Sequence, residues 1–80
     1  MNLHTLTGYI KMGREIEFSY GNQMYSITYT FENNKQIIIL CWVDHICTDY
    51  PNIEDFVSSA KIGDQYLRDV LAHIEDVTVY

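Results

Sequence analysis

Arg14-Glu15-Ile16-Glu17-Phe18-Ser19-Tyr20-Gly21-Asn22-Gln23-Met24-Tyr25-Ser26-Ile27-Thr28-Tyr29 is the stretch that decides the fold. Ile16, Phe18 and Tyr20 alternate with Glu15, Glu17 and Ser19, the two-residue period of a strand with one buried side. Gly21-Asn22 offers two residues that accept the positive φ of a primed hairpin turn. Folding the chain about that pair sets Phe18 against Tyr25 and Ile16 against Ile27, and leaves Glu17 facing Ser26 and Ser19 facing Met24. A register shifted by one residue would mix the two faces, so turn and pattern support each other.

Working outward, Asn33-Asn34 provides a second turn. Pairing about it sets Tyr29 against Ile38, Ile27 against Leu40 and Tyr25 against Trp42, with Glu32 opposite Lys35. The expected core is a three-stranded antiparallel meander with one shared apolar face, and Trp42 is expected to lie buried on it beside Tyr25 and Leu40. The third strand is apolar on its other side as well, through Ile37, Ile39, Cys41 and Val43. Such a strand usually has both sides covered. The cover could come from the N-terminal helix or from a second copy in a homodimer.

Toward the N-terminus, Asn2 can cap a short helix carrying Leu3, Leu6 and Ile10, with Gly13 as its stop. Toward the C-terminus, Asn52 can cap a helix from Ile53 to about Ala60, with Glu54 and Asp55 in the first turn. Gly63 then precedes a last helix capped by Asp64, where Leu67, Val70, Leu71 and Ile74 form an amphipathic stripe. Val77 to Tyr80 alternates again and fits a terminal strand. The expectation is a single α+β domain over residues 1–80: a short N-terminal helix, the meander, two C-terminal helices packed on the sheet, and that terminal strand.

Charge is unevenly distributed along the 80 residues. Through Val43 three acids balance three bases, whereas from Asp44 onward eight acids face only Lys61 and Arg68, so the whole net charge of −6 lies in the C-terminal half. A field of one sign repels nucleic acid and anionic membrane and attracts basic surfaces. Asp44, Asp49, Glu54 and Asp55 gather in the strand-to-helix connection, and Asp69 and Asp76 share one side of the expected last helix. With Tyr50 and Tyr66 nearby, these residues are the candidate partner-binding set, since exposed tyrosines often anchor interfaces. The competing reading is that the acids form only the wet faces of helices.

Cys41, His45 and Cys47 share one parity and would project together from an extended strand. Thiolate and imidazole are the ligand types zinc takes, although a structural site needs a fourth ligand. Zinc is the one cofactor the composition raises. Two cysteines are too few for a secreted disulfide scaffold, and the start Met1-Asn2-Leu3-His4 lacks the basic and apolar regions of a signal peptide. A cytoplasmic protein with reduced thiols follows as the expectation. Ser58-Ser59 has no histidine or glycine elbow beside it, and no phosphate-binding loop occurs, so no enzymatic activity is expected.

Gly13 to Tyr20, Tyr25 to Tyr29, and Leu67-Arg68-Asp69-Val70 through Ile74-Glu75 to Tyr80 resemble small uncharacterised proteins of Gram-positive bacteria and their phages. In size and acidity the chain is similar to phage anti-CRISPR proteins that inhibit Cas9-type nucleases. The resemblance implies a non-enzymatic inhibitor in the bacterial host cytoplasm, acting through the acidic C-terminal half on a basic surface of a nucleic-acid-handling protein. The alternative is a structural or oligomerising module, with or without zinc.

Overall fold

A computed structural model describes residues 1–43 and 45–80. Helix α1 (Leu3–Lys11) is followed by strands β1 (Ile16–Tyr20), β2 (Gln23–Glu32), β3 (Lys35–Trp42) and β4 (Ile46–Tyr50). Helix α2 (Ile53–Ser59) then leads into the short strands β5 (Lys61–Ile62) and β6 (Gln65–Tyr66). A one-turn helix α3 (Leu67–Val70), a 3₁₀ turn over Leu71–His73 and strand β7 (Glu75–Val79) complete the chain.

Both expected hairpins form in the expected register. Phe18 opposes Tyr25, Ile16 opposes Ile27, Tyr29 opposes Ile38, and Tyr25 opposes Trp42. Gly21 and Asn22 both have positive φ, at 56° and 63°, and Asn33 and Asn34 follow at 52° and 64°. Positive φ at both central residues matches the right-handed twist of the flanking strands, so neither hairpin splays.

The main sheet, however, has five strands rather than three, in the order β4-β3-β2-β1-β7. The segment read as an acidic connection is strand β4, where Tyr50 opposes Ile38, Thr48 opposes Leu40 and Ile46 opposes Trp42. Its one acid, Asp49, and the polar Thr48 obscure an alternation in which Ile46, Thr48 and Tyr50 share the core side while Cys47 and Asp49 share the other. At the other edge β7 pairs with β1, setting Val79 against Ile16 and Thr78 against Glu17. The register slips between Glu17 and Ser19, and Asp76 there takes a positive φ of 53°. Such a bulge twists an edge strand and discourages it from pairing with another chain. The Arg14 side chain donates from Nε to the Tyr80 carbonyl at 2.8 Å, and the Tyr80 N–H donates to the Glu15 carbonyl at 2.8 Å.

The last helix is also shorter than its stripe implies. Gly63, with φ 60°, turns the β5–β6 hairpin, so Asp64 lies in that turn and caps no helix. Leu67, Val70 and Leu71 are buried as the stripe requires. Ile74 leaves the helical conformation at φ −70°, ψ 153°, which is the extended backbone β7 needs next.

All the helices lie against one face of the sheet. Leu6 and Ile10 of α1, Phe56 of α2, and Leu67, Val70 and Leu71 form one cluster with Ile16, Phe18, Ile27, Ile38, Leu40 and Tyr50. Asn2 and Asn52 cap their helices as expected, each accepting an N–H bond at 2.8 Å, from Thr5 and Asp55 respectively. Gln36 donates to the Ile10 carbonyl at 2.9 Å, satisfying one of the acceptors that the end of α1 leaves free. Helix α1 therefore packs on the core side and does not cover Ile37 and Ile39, while Val43, at φ 45°, has left the strand for the turn after β3. That second face stays open.

Candidate functional site

The structure separates the residues that sequence reasoning grouped. Asp49 sits exposed on β4 and, as the partner of Ile39, points to the open face. Glu54 and Asp55 are exposed in the first turn of α2. Asp69 is exposed on α3 beside Arg68, at 4.0 Å from its Nε. Asp76 lies in the β7 bulge, where its carboxylate accepts a hydrogen bond from the Ser19 hydroxyl at 2.9 Å. Asp44 lies outside the described residues. Because β4 and β7 are opposite edges of a five-stranded sheet, Asp49 and Asp76 are separated by four strand spacings, roughly 19 Å across the sheet at about 4.8 Å per strand, and are further offset along it. The acids thus spread over the surface and do not converge on a point.

The two tyrosines have different fates. Tyr50 is 9 % exposed and meets Phe56 edge-on, with ring centroids 5.3 Å apart. Burial pushes its hydroxyl pKa up, and its ring serves the core, out of a partner's reach. Tyr66 is partly exposed between two cations, with Arg68 over its ring at 4.4 Å and Lys61 at 5.0 Å. It remains available at the surface.

Cys41 and Cys47 oppose each other across β3 and β4 with Cα atoms 4.0 Å apart, and their sulfurs are joined in a disulfide. The close spacing is that of a cross-strand pair without hydrogen bonds between its own backbones. The expectation of reduced thiols is corrected by this pairing: register alone brings the two side chains together on the open face. Joined, the sulfurs have no thiolate to offer zinc. Among the described residues no three of His, Cys, Asp and Glu converge as a ligand set, and His45 stands exposed in the turn.

Trp42 is the second correction. It takes its expected register position, yet it is 40 % exposed. The covering elements stop short of this end of the sheet. Trp42, its neighbours Tyr25 and Ile46, and Leu40 and Thr48 in the next row border a notch of about 210 Å³. Lys61 and Gly63 of the β5–β6 hairpin close its far side. The indole N–H donates to Gln23 Oε1 at 2.9 Å, so the ring's one polar atom is satisfied and its orientation fixed. Ile46, at 52 % exposure, extends the apolar rim. Sequence reasoning missed this site because alternation assigns a residue to a face, whereas cover depends on how far the later elements reach. The brevity of Lys61–Tyr66 between Ala60 and Leu67 was the one available signal.

Among the described residues no helix is long and apolar enough to cross a membrane. Comparison of the chain with protein-family models, with curated proteins and with solved structures finds no match.

Proposed function

We propose that this chain is a non-enzymatic binding protein that docks on a basic surface of a nucleic-acid-handling protein and inhibits it. A CRISPR nuclease is the specific target class, and the role is one of phage anti-defence in the bacterial cytoplasm, whose reducing environment would open the Cys41–Cys47 bond. The observation that carries the reading is the state of the carboxylates. Asp49, Glu54, Asp55, Asp69 and Asp76 are all exposed, and one pair, Arg68–Asp69 at 4.0 Å, is the sole salt bridge among the described residues. Asp49, Glu54 and Asp55, which make no salt bridge among the described residues, keep their attraction for an external cationic surface, and such attraction speeds encounter and selects partners. Reversing Asp44, Asp49, Glu54 and Asp55 together is expected to abolish inhibition of a Gram-positive Cas9-type nuclease in a cleavage assay. The melting temperature should change little, because Asp49, Glu54 and Asp55 are exposed and exposed charges contribute little to folding. Binding should also weaken as salt rises, since screening acts over about 8 Å at physiological ionic strength. Failure to bind any such nuclease defeats the target class. Inhibition that survives the charge reversal defeats the electrostatic mechanism.

A second reading is favoured by the open face. Ile37 and Ile39 lie opposite Thr30 and Thr28, on the face away from the helix-covered cluster. An oligomerising module would bury them against a second copy. A dimer mass in sedimentation that Ile39→Lys returns to monomer supports this reading, and a monomeric parent protein removes it.

A further inference from the structure

The notch beside Trp42 is matched to one kind of occupant. Small-molecule pockets generally run from about 300 Å³ upward, while a cavity of roughly 150 Å³ takes a benzene ring. At about 210 Å³ the notch holds one aromatic or large aliphatic side chain and little else. Its borders offer apolar surface. The indole N–H is already bonded to Gln23, and the Lys61 ammonium rests over the Tyr66 ring, 5.0 Å from its centroid, which leaves the lysine's alkyl stem to the notch. Trp42 and Ile46 stand exposed side by side as a cross-strand pair, the composition of an anchor pocket. Asp64 follows Gly63 in the hairpin turn and is exposed, with Lys61 the one charged residue of the notch lining, in a chain of net charge −6.

We propose that the Trp42 notch is the anchor pocket of the partner interface, receiving one aromatic or large aliphatic side chain that projects from a cationic protein surface. This rests on the acidic-binding reading above and divides the work of binding. The spread carboxylates set the salt-dependent rate of encounter, and the notch sets how long the complex lives.

The probe is the peptide acetyl-Lys-Lys-Phe-Lys-Lys-amide, with two controls: one in which alanine replaces the phenylalanine, and one in which glutamates replace the lysines. Trp42 is the only tryptophan, so its emission reports the notch directly, and its indole N–H gives an isolated proton–nitrogen NMR signal. The lysine–phenylalanine peptide should shift both signals saturably. Binding should weaken by about tenfold or more when alanine replaces phenylalanine, the cost of losing one buried aromatic side chain. Ile46→Lys places a cation on an already exposed rim, so the variant should fold with an unchanged melt and lose the response.

Equal response to the alanine peptide overturns the notch while leaving the acidic reading standing. Equal response to the glutamate peptide overturns the cationic partner, and with it the reading on which the proposal rests. A shift on concentrating the protein alone assigns the notch to a second copy and overturns the proposal. Absence of any saturable shift with the lysine–phenylalanine peptide does the same.

Discussion

Reducing the Cys41–Cys47 bond should lower the stability of this small domain by an amount that follows from the chain length it closes. The two cysteines are six residues apart in sequence. In the chain-entropy account, a loop of that size restricts the unfolded state by about 2 kcal/mol at 25 °C. For a domain of 80 residues, each kcal/mol moves the melting temperature by roughly 4–8 °C, so reduction should lower it by roughly 8–16 °C. The loss falls on one place. Strand β4 is an edge strand held by β3 alone within the sheet, and the disulfide joins that pair. Hydrogen exchange in β4 should therefore accelerate on reduction more than exchange in β1 or β2. The assay is a melt with and without dithiothreitol, with thiol titration to verify each state. Cys47→Ser, at an exposed position, should melt like the reduced protein in either buffer. Coincident melts of verified oxidised and reduced protein would refute the reasoning, since the cross-link would then constrain nothing that unfolding releases. The reduced protein is also the form in which to test zinc: a melt raised by zinc and lowered again by a chelator would show Cys41, His45 and Cys47 capturing the ion, and an unchanged melt would show them leaving it free.

Phe56→Ala should cost on the order of 3–5 kcal/mol, as truncation of a fully buried aromatic does, whereas Trp42→Ala should cost markedly less because its ring is already 40 % exposed; chemical denaturation of the two variants makes the comparison. Tyr29 donates its hydroxyl to the Arg14 carbonyl at 2.7 Å, and burial, with Glu15 nearby, pushes its pKa up to about 12 from the usual 10. A raised folded-state value means stability fully present below pH 10 and lost as pH rises toward 12, so Tyr29→Phe should shallow the alkaline fall in melting temperature over that window. Asn2→Ala and Asn52→Ala each remove a side-chain acceptor from a helix start and should each cost about 1 kcal/mol, read as a shift in the denaturation midpoint at constant slope.

The central hairpins were legible because two local signals agreed. Alternation assigned Ile16, Phe18, Ile27 and Ile38 to one face, and Gly21-Asn22 and Asn33-Asn34 fixed the register between neighbours a few residues apart. The helix starts were legible for a similar reason, since Asn2 and Asn52 bond within their own first turns. What local pattern could not carry was reach and partnership over distance. Strand β4 hides among acids because half of its side chains point to an open face. The alternation of Val77 to Tyr80 announced strand β7, but its partner β1 lies more than fifty residues earlier and the bulge at Asp76 hid both that pairing and the strand's start. The candidate site fared similarly. Identity and exposure of Asp49, Glu54 and Asp55 could be read directly, but the distance between the two edges, the burial of Tyr50 and the notch beside Trp42 all depend on which strands border the sheet.

The pairing of β1 with β7 has a consequence for the order in which the sheet is built. The β1–β2 and β2–β3 pairs join residues close in sequence and can form while the rest of the chain is still disordered. Ile16 meets Val79 only after most of the polypeptide has been drawn in, and closing so long a loop is the slower event. Until then β1 is a bare edge bearing Ile16 and Phe18, and a neighbouring chain can occupy it in place of β7. High concentration during refolding should therefore favour misassembled, strand-exchanged species, and lengthening the wait for β7 should increase them. The five residues Glu75–Val79 thus act as the closing step that separates a finished fold from an aggregate.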